Sequence, residues 1–125
     1  MPQLSTLIFA TVLRVIDGDT IAVNLENCNQ PIVCNNVSVR IANIDTPEIH
    51  SKCPREKELG YQAKAVTSVF YPVNSRVGLT VMLDNEKYGR LLTYAPKLEE
   101  TLLRQGLAAP YHGEKKTFEW CPKMP

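Results

Sequence analysis

Val37-Ser38-Val39-Arg40-Ile41-Ala42-Asn43-Ile44-Asp45-Thr46-Pro47-Glu48 decides how this chain folds. Val37 to Ile44 is rich in β-branched residues and alternates well enough for a strand half-buried in a sheet. Thr46-Pro47 ends it, because proline has no N–H to give to a ladder. Arg40 and Asp45 lie an odd number of positions apart, so on a regular strand they face opposite sides. They can share one side only if the strand ends or bulges between them. Asn43, a turn-tolerant residue inside the apolar run, is where that break is expected.

Upstream, Leu7 to Ile16 reads as a first strand, Asp17-Gly18 as a turn and Thr20 to Leu25 as a second strand. Glu26 to Asn36 is polar, contains Pro31 and reads as a loop. Downstream, Pro54 opens a helix at its first position, and Leu59, Ala63, Val66 and Phe70 mark one apolar face before Tyr71-Pro72 closes it. Val77, Leu79, Val81 and Leu83 alternate as a fourth strand, Asp84 to Gly89 is a polar turn, and Arg90 to Tyr94 is a fifth strand. Lys97 to Gln105 predicts a second helix with Gly106 as its stop. This order of elements predicts a mainly β protein with packed helices (α+β), a five-stranded Greek-key OB-fold barrel. Residues 1–125 are expected to form a single domain, with 108–125 as a tail packed on the barrel and anchored by Phe118 and Trp120.

The chain has 125 residues, 44% of them apolar and 22% charged, ordinary values for one globular domain. With 14 Lys and Arg against 13 Asp and Glu, no general basic excess is available to coat phosphates, so attraction to polyanions must come from local placement of charge. No apolar run approaches the length of a membrane span. Leu7-Ile8-Phe9-Ala10 lacks a basic flank and is too short for an export leader. Four cysteines allow three pairings. Cys28 and Cys34 flank the polar loop and can staple it, which leaves Cys53 and Cys121 for a long-range bridge; four free thiols are the alternative. No C-x-x-C spacing supports a zinc ribbon or a redox motif. Bridges imply an oxidising compartment, secreted or periplasmic.

Charged residues cluster at strand ends in three segments: Val15-Ile16-Asp17-Gly18-Asp19-Thr20, Val39 to Glu48, and Glu86-Lys87-Tyr88-Gly89-Arg90-Leu91. Hydrolysis of a phosphodiester needs positive charge to offset the growing negative charge on phosphate oxygens, a placed water and a stabilised leaving oxygen. Asp19 and Asp45 are hard oxygen donors suited to calcium or magnesium, with no His or Cys cluster to favour a softer metal. Arg40 and Arg90 are planar, permanently charged forks suited to phosphate. His50 and His112 read as surface loop residues.

In these three segments, and at Leu103-Arg104-Gln105-Gly106-Leu107-Ala108, the sequence resembles the staphylococcal nuclease family, in an ordered match over residues 12 to 109. The resemblance implies calcium-dependent cleavage of DNA and RNA by in-line attack of water. It implies one calcium ion held by Asp19, Asp45 and the backbone carbonyl of Thr46, with Asp17 close to the metal. By the same resemblance Arg40 and Arg90 clamp the scissile phosphate and Glu48 orients the attacking water. Lys87 and Tyr88 would touch the terminal phosphate of a bound nucleotide. Tyr111 would cover the nucleotide, although Ala109-Pro110-Tyr111-His112-Gly113 departs from the family's pair of tyrosines there. Ile49-His50-Ser51-Lys52-Cys53-Pro54 departs from the family's mobile loop beside the site. The expected partners are DNA and RNA, with no membrane, and the expected state is a monomer. The alternative is a non-catalytic OB-fold nucleic-acid-binding module; retention of the acidic and arginine positions separates the two.

Overall fold

The computed structural model describes residues 6–29, 34–83, 91–112 and 118–121. β1 (Thr6–Asp17), β2 (Thr20–Leu25), β3 (Val37–Ile41), β5 (Arg76–Leu83) and β6 (Leu91–Tyr94) close into a barrel in the order β1-β2-β3-β6-β5. All neighbours run antiparallel except β3 and β6, which run parallel. This is the OB-fold barrel, mainly β with two packed helices. β1 closes it by pairing with β2 through one part of its length and with β5 through another. To do so it must curve. Its register shifts between Val12 and Arg14 and again between Val15 and Asp17. The first bulge moves the inward positions from Ala10 and Val12 to Val15, so the strand keeps an apolar face inside as it bends.

The core is aliphatic and β-branched, with Val12, Ile21, Val23, Val39, Ile41 and Leu79 almost fully buried. The helix α1 (Pro54–Phe70) covers one end of it. Its buried residues are Gly60, Ala63 and Thr67, with Leu59 and Val66 at the margin and Phe70 exposed. The contact face is therefore displaced from the Leu59–Ala63–Val66–Phe70 stripe expected from spacing. Small residues were chosen where α1 comes closest, and small residues carry little hydrophobic signal. The helix α2 (Pro96–Arg104) buries Leu98 and Leu102, begins one residue earlier than expected and hands over to Gly106 at φ +70°.

The expected third strand is in fact two. β3 ends at Ile41, and after Ala42-Asn43 the chain resumes as β4 (Ile44–Asp45). Asn43 takes φ +72°, the left-handed conformation that asparagine tolerates. β4 pairs with β7 (Ala109–Pro110), so the segment after α2 contributes a short strand that spacing did not foretell. Bridges join Cys28 to Cys34 and Cys53 to Cys121, the pairing expected. Cys34 is buried although it borders the polar loop. The Phe118 and Trp120 rings meet at a tilt of 56° with centroids 4.5 Å apart; Trp120 is half-buried and Phe118 is 57% exposed. No helix among the described residues is long and apolar enough to cross a membrane.

Candidate active site

The break at Asn43 turns the chain so that Arg40 and Asp45 meet. Arg40 Nη1 donates to the carbonyls of Ile41 (3.0 Å) and Ile44 (2.9 Å), on the two sides of the break. The guanidinium thereby fixes the break that the alternation of side chains demanded. Its Nη2 lies 3.5 Å from Asp19 Oδ2 and 3.6 Å from Asp45 Oδ1. Two carboxylates from different strand ends therefore converge on one cationic nitrogen, and all three residues are buried.

Asp19 comes from the β1–β2 hairpin, in which Asp17 pairs with Thr20. Gly18 is needed there for space: a Cβ would stand 2.7 Å from the Ala63 Cβ and 3.0 Å from the Thr46 side chain. Thr67 Oγ1, on α1, donates to the Gly18 carbonyl at 2.6 Å. The helix thus holds the hairpin tip by contact and by hydrogen bond. Asp19 Oδ2 accepts the Thr46 N–H at 3.1 Å, and Oδ1 accepts the Thr20 hydroxyl at 3.0 Å.

Asp17 Oδ1 accepts the Asp19 N–H at 3.2 Å. Burial, followed by the neighbouring Asp19 carboxylate, pushes Asp17 up to about 7. Burial alone would raise Asp19 too. Hydrogen bonding from Asp17, the Arg40 charge and donation from the Thr46 N–H and Thr20 hydroxyl outweigh it, and Asp19 falls below the usual carboxylate range.

The residues fit a hard divalent cation. Every donor present is an oxygen, which suits calcium or magnesium. Thr46 Oγ1 is buried beside Asp19 and Asp45 with no hydrogen-bond partner among the described residues, as is Arg40 Nη2. Such buried polar atoms ordinarily find partners, so a ligand or ordered water is called for at this place. The protein donor set is sparse: no group of three or more His, Cys, Asp or Glu gathers among the described residues. A cation held here would keep positions open for water and substrate.

Tyr111 reaches the same end of the barrel. Its N–H donates to the Asn43 carbonyl at 2.9 Å, next to the β4–β7 pair, and its ring faces the Arg40 guanidinium at 5.6 Å. Glu48 is exposed, on the segment that leaves β4 and passes under α1. A Cβ on Gly60 would stand 2.9 Å from the Glu48 carbonyl carbon and 2.9 Å from the Ile49 nitrogen, so only glycine lets the helix approach this closely. Asp17, Asp19, Arg40, Asp45, Thr46 and Tyr111 are thus brought together. Lys87, Tyr88 and Arg90 lie outside the described residues, as does the expected turn from Asp84 to Gly89. Gly60, Ala63 and Thr67 hold the site but were not singled out for that role from sequence. A glycine inside a helical run was the one available sign.

The OB barrel thus carries an acid–guanidinium cluster at the ends of its strands. The family model for staphylococcal nuclease homologues matches residues 38–124, and the chain belongs to that family, whose members are in general nucleases. No curated protein matches it. Asp17 and Asp19 precede the matched span, and the hydrogen bond from Thr46 joins Asp19 to it.

Proposed function

We propose that this protein is a calcium-dependent nuclease that hydrolyses phosphodiester bonds of DNA and RNA. The observation that carries the reading is the buried Arg40 guanidinium shared between Asp19 and Asp45 in a chain of this family. Asp19, Asp45 and the backbone carbonyl of Thr46 would hold one calcium ion. When bound, it supplies Lewis-acid stabilisation of the charge that grows on the phosphate oxygens.

The chain's own groups account for the rest. Arg40 Nη1 is occupied by two carbonyls, which orients the guanidinium and leaves Nη2 as a charged donor for a phosphate oxygen. A donor fixed before substrate arrives needs no reorganisation as charge develops, and this makes it effective on the transition state. Arg90 would supply the second guanidinium. Glu48 would orient the attacking water. Lys87 and Tyr88 would engage a terminal phosphate, and the Tyr111 ring would cover the nucleotide beside Arg40. Asp17, whose Oδ1 accepts the Asp19 N–H at 3.2 Å, would lie close to the metal.

Plasmid nicking in calcium and in chelator tests the reading. Nicking is expected in calcium and its loss in chelator and in Asp19→Ala. Undiminished nicking in chelator would contradict it. Oligonucleotide binding with no cleavage under any divalent cation would identify a non-catalytic binding module instead.

A further inference from the structure

Glu56 lies in the first turn of α1, where an acidic residue ordinarily does no more than complement the helix dipole. Here its carboxylate has specific work. Oε2 accepts the Glu48 N–H at 3.0 Å, and Oε1 accepts the Ser51 hydroxyl at 3.0 Å. Ser51 Oγ in turn accepts the Cys53 N–H at 3.1 Å, at the residue that caps α1 and is bridged to Cys121. One carboxylate thus spans the loop between Glu48 and the helix.

Gly60 is one helical turn further on, on the same face. A Cβ there would stand 2.9 Å from the carbonyl carbon of Glu48. The two ends of the Glu48 backbone are therefore addressed by two positions of one helix a turn apart: the N–H by the Glu56 carboxylate, the carbonyl carbon by the bare face of Gly60. That helix also holds the Asp19 hairpin, through Ala63 and Thr67. A single rigid element sets the position of Glu48 relative to Asp19.

We propose that Glu56 is a positioning residue of the nuclease reaction: by binding the Glu48 N–H and the Ser51 hydroxyl together, it fixes the backbone from which the Glu48 carboxylate reaches the attacking water. The inference rests on the role of Glu48 given above. Glu56 touches neither substrate nor metal in this scheme and acts only through Glu48.

The full-length protein tests it with Glu56→Ala, Glu56→Gln, Glu48→Gln and the double variant Glu48→Gln/Glu56→Ala. Hydrogen exchange at the residue 48 amide, measured by NMR without substrate, should quicken about tenfold in Glu56→Ala, the loss of one hydrogen bond. Single-turnover cleavage of an oligonucleotide in calcium should slow by on the order of tenfold, with equilibrium binding unchanged. Glu56→Gln should stay within about twofold of the parent in both, since its amide oxygen accepts the Glu48 N–H and its NH₂ donates to Ser51. The double variant should cleave no more slowly than Glu48→Gln alone. Parent-like exchange in Glu56→Ala, or quickened exchange with parent-like cleavage while Glu48→Gln is slow, overturns the positioning role alone. Parent-like cleavage by Glu48→Gln overturns the assigned role of Glu48 and, with it, this inference.

Discussion

Among the described residues, Arg40 and Arg76 both hold acidic partners, and the closer contact is the one on the surface. Arg76 Nε lies 2.9 and 3.1 Å from the two oxygens of Glu26, and its guanidinium stacks over Phe9 at 4.2 Å. Arg40, only 7% exposed, keeps Nη2 at 3.5 and 3.6 Å from two carboxylates and makes no hydrogen bond with that nitrogen among the described residues. Water screens the first pair, which contributes little to stability. The second cluster has been taken out of water, at a cost that only close, fully bonded geometry offsets. A cluster selected for stability would have closed those distances or been replaced by apolar side chains. The loose geometry at the barrel end is what the proposed calcium ion and phosphate would complete.

The comparison can be broken most severely at the carboxylates. Asp19→Ala should abolish cleavage and reduce stability by about 1–3 kcal/mol, since the buried Thr46 N–H loses its acceptor. Glu26→Ala should leave cleavage at the parent rate. Cleavage assays beside denaturant melts check both, and an active Asp19→Ala would show that the barrel end is only structural.

The two bridges extend the contrast. Cys53–Cys121 closes a separation of 68 residues and ties the chain to the start of α1, whereas Cys28–Cys34 closes one of 6. By loop-closure entropy the long bridge should contribute about 4 kcal/mol and the short one about 2. Serine pairs at each, compared by chemical unfolding, should reproduce that order. The reverse order would mean that the denatured chain is already held near Cys53.

Much of this was readable from the residues. The need for a break between Arg40 and Asp45 follows from alternation alone, and Asn43 supplied it because asparagine accepts φ > 0. The barrel strands were legible because Val39 and Ile41, and Leu79 and Val81, place apolar residues at every second position. The β4–β7 pair was not, since Ala109-Pro110 is too short for any period and its partner is distant in sequence. Glu56 was invisible for a different reason: an acid in a first helical turn has an adequate local explanation, and its partner lies across a loop. Gly18 signalled a turn correctly, but its further purpose, clearance for Ala63, belongs to a tertiary contact.

Two glycines sharpen the comparison further. In Gly60→Ala a new methyl would meet the backbone of Pro47, Glu48 and Ile49 at 2.9–3.0 Å, where nothing flexible can give way. The usual helical gain of about 1 kcal/mol should be reversed into a loss of about 1–3 kcal/mol, with slower cleavage. In Gly78→Ala the neighbours are the Phe9 and Leu7 side chains at 3.3–3.4 Å, both exposed and able to move. That variant should be neutral or gain about 0.5 kcal/mol, with cleavage unchanged. Thermal melts and initial rates for the pair measure the difference; equal effects would mean that α1 does not hold the site.

The smallest effect concerns pH. The Arg76 hydrogen bond, the largest cause, holds Glu26 below its usual range. A group depressed on folding stabilises at pH above its unfolded value, and that contribution disappears as pH falls through the folded value. Glu26→Gln should therefore lower Tm slightly near neutral pH and not at all in strong acid. A Tm difference that persists in acid would assign the effect to packing on Phe9 rather than to charge.

The central claim is that Arg40 acts on a phosphate during reaction rather than serving only as an internal counterion. Single-turnover cleavage of a short oligonucleotide by Arg40→Lys, beside its equilibrium binding at several salt concentrations, tests this most directly. Lysine keeps the charge but loses the fork that donates at once to the backbone and to substrate. Cleavage should fall on the order of 10²-fold or more with binding little changed. Cleavage at the parent rate, with only an affinity change that fades as salt rises, would contradict the account.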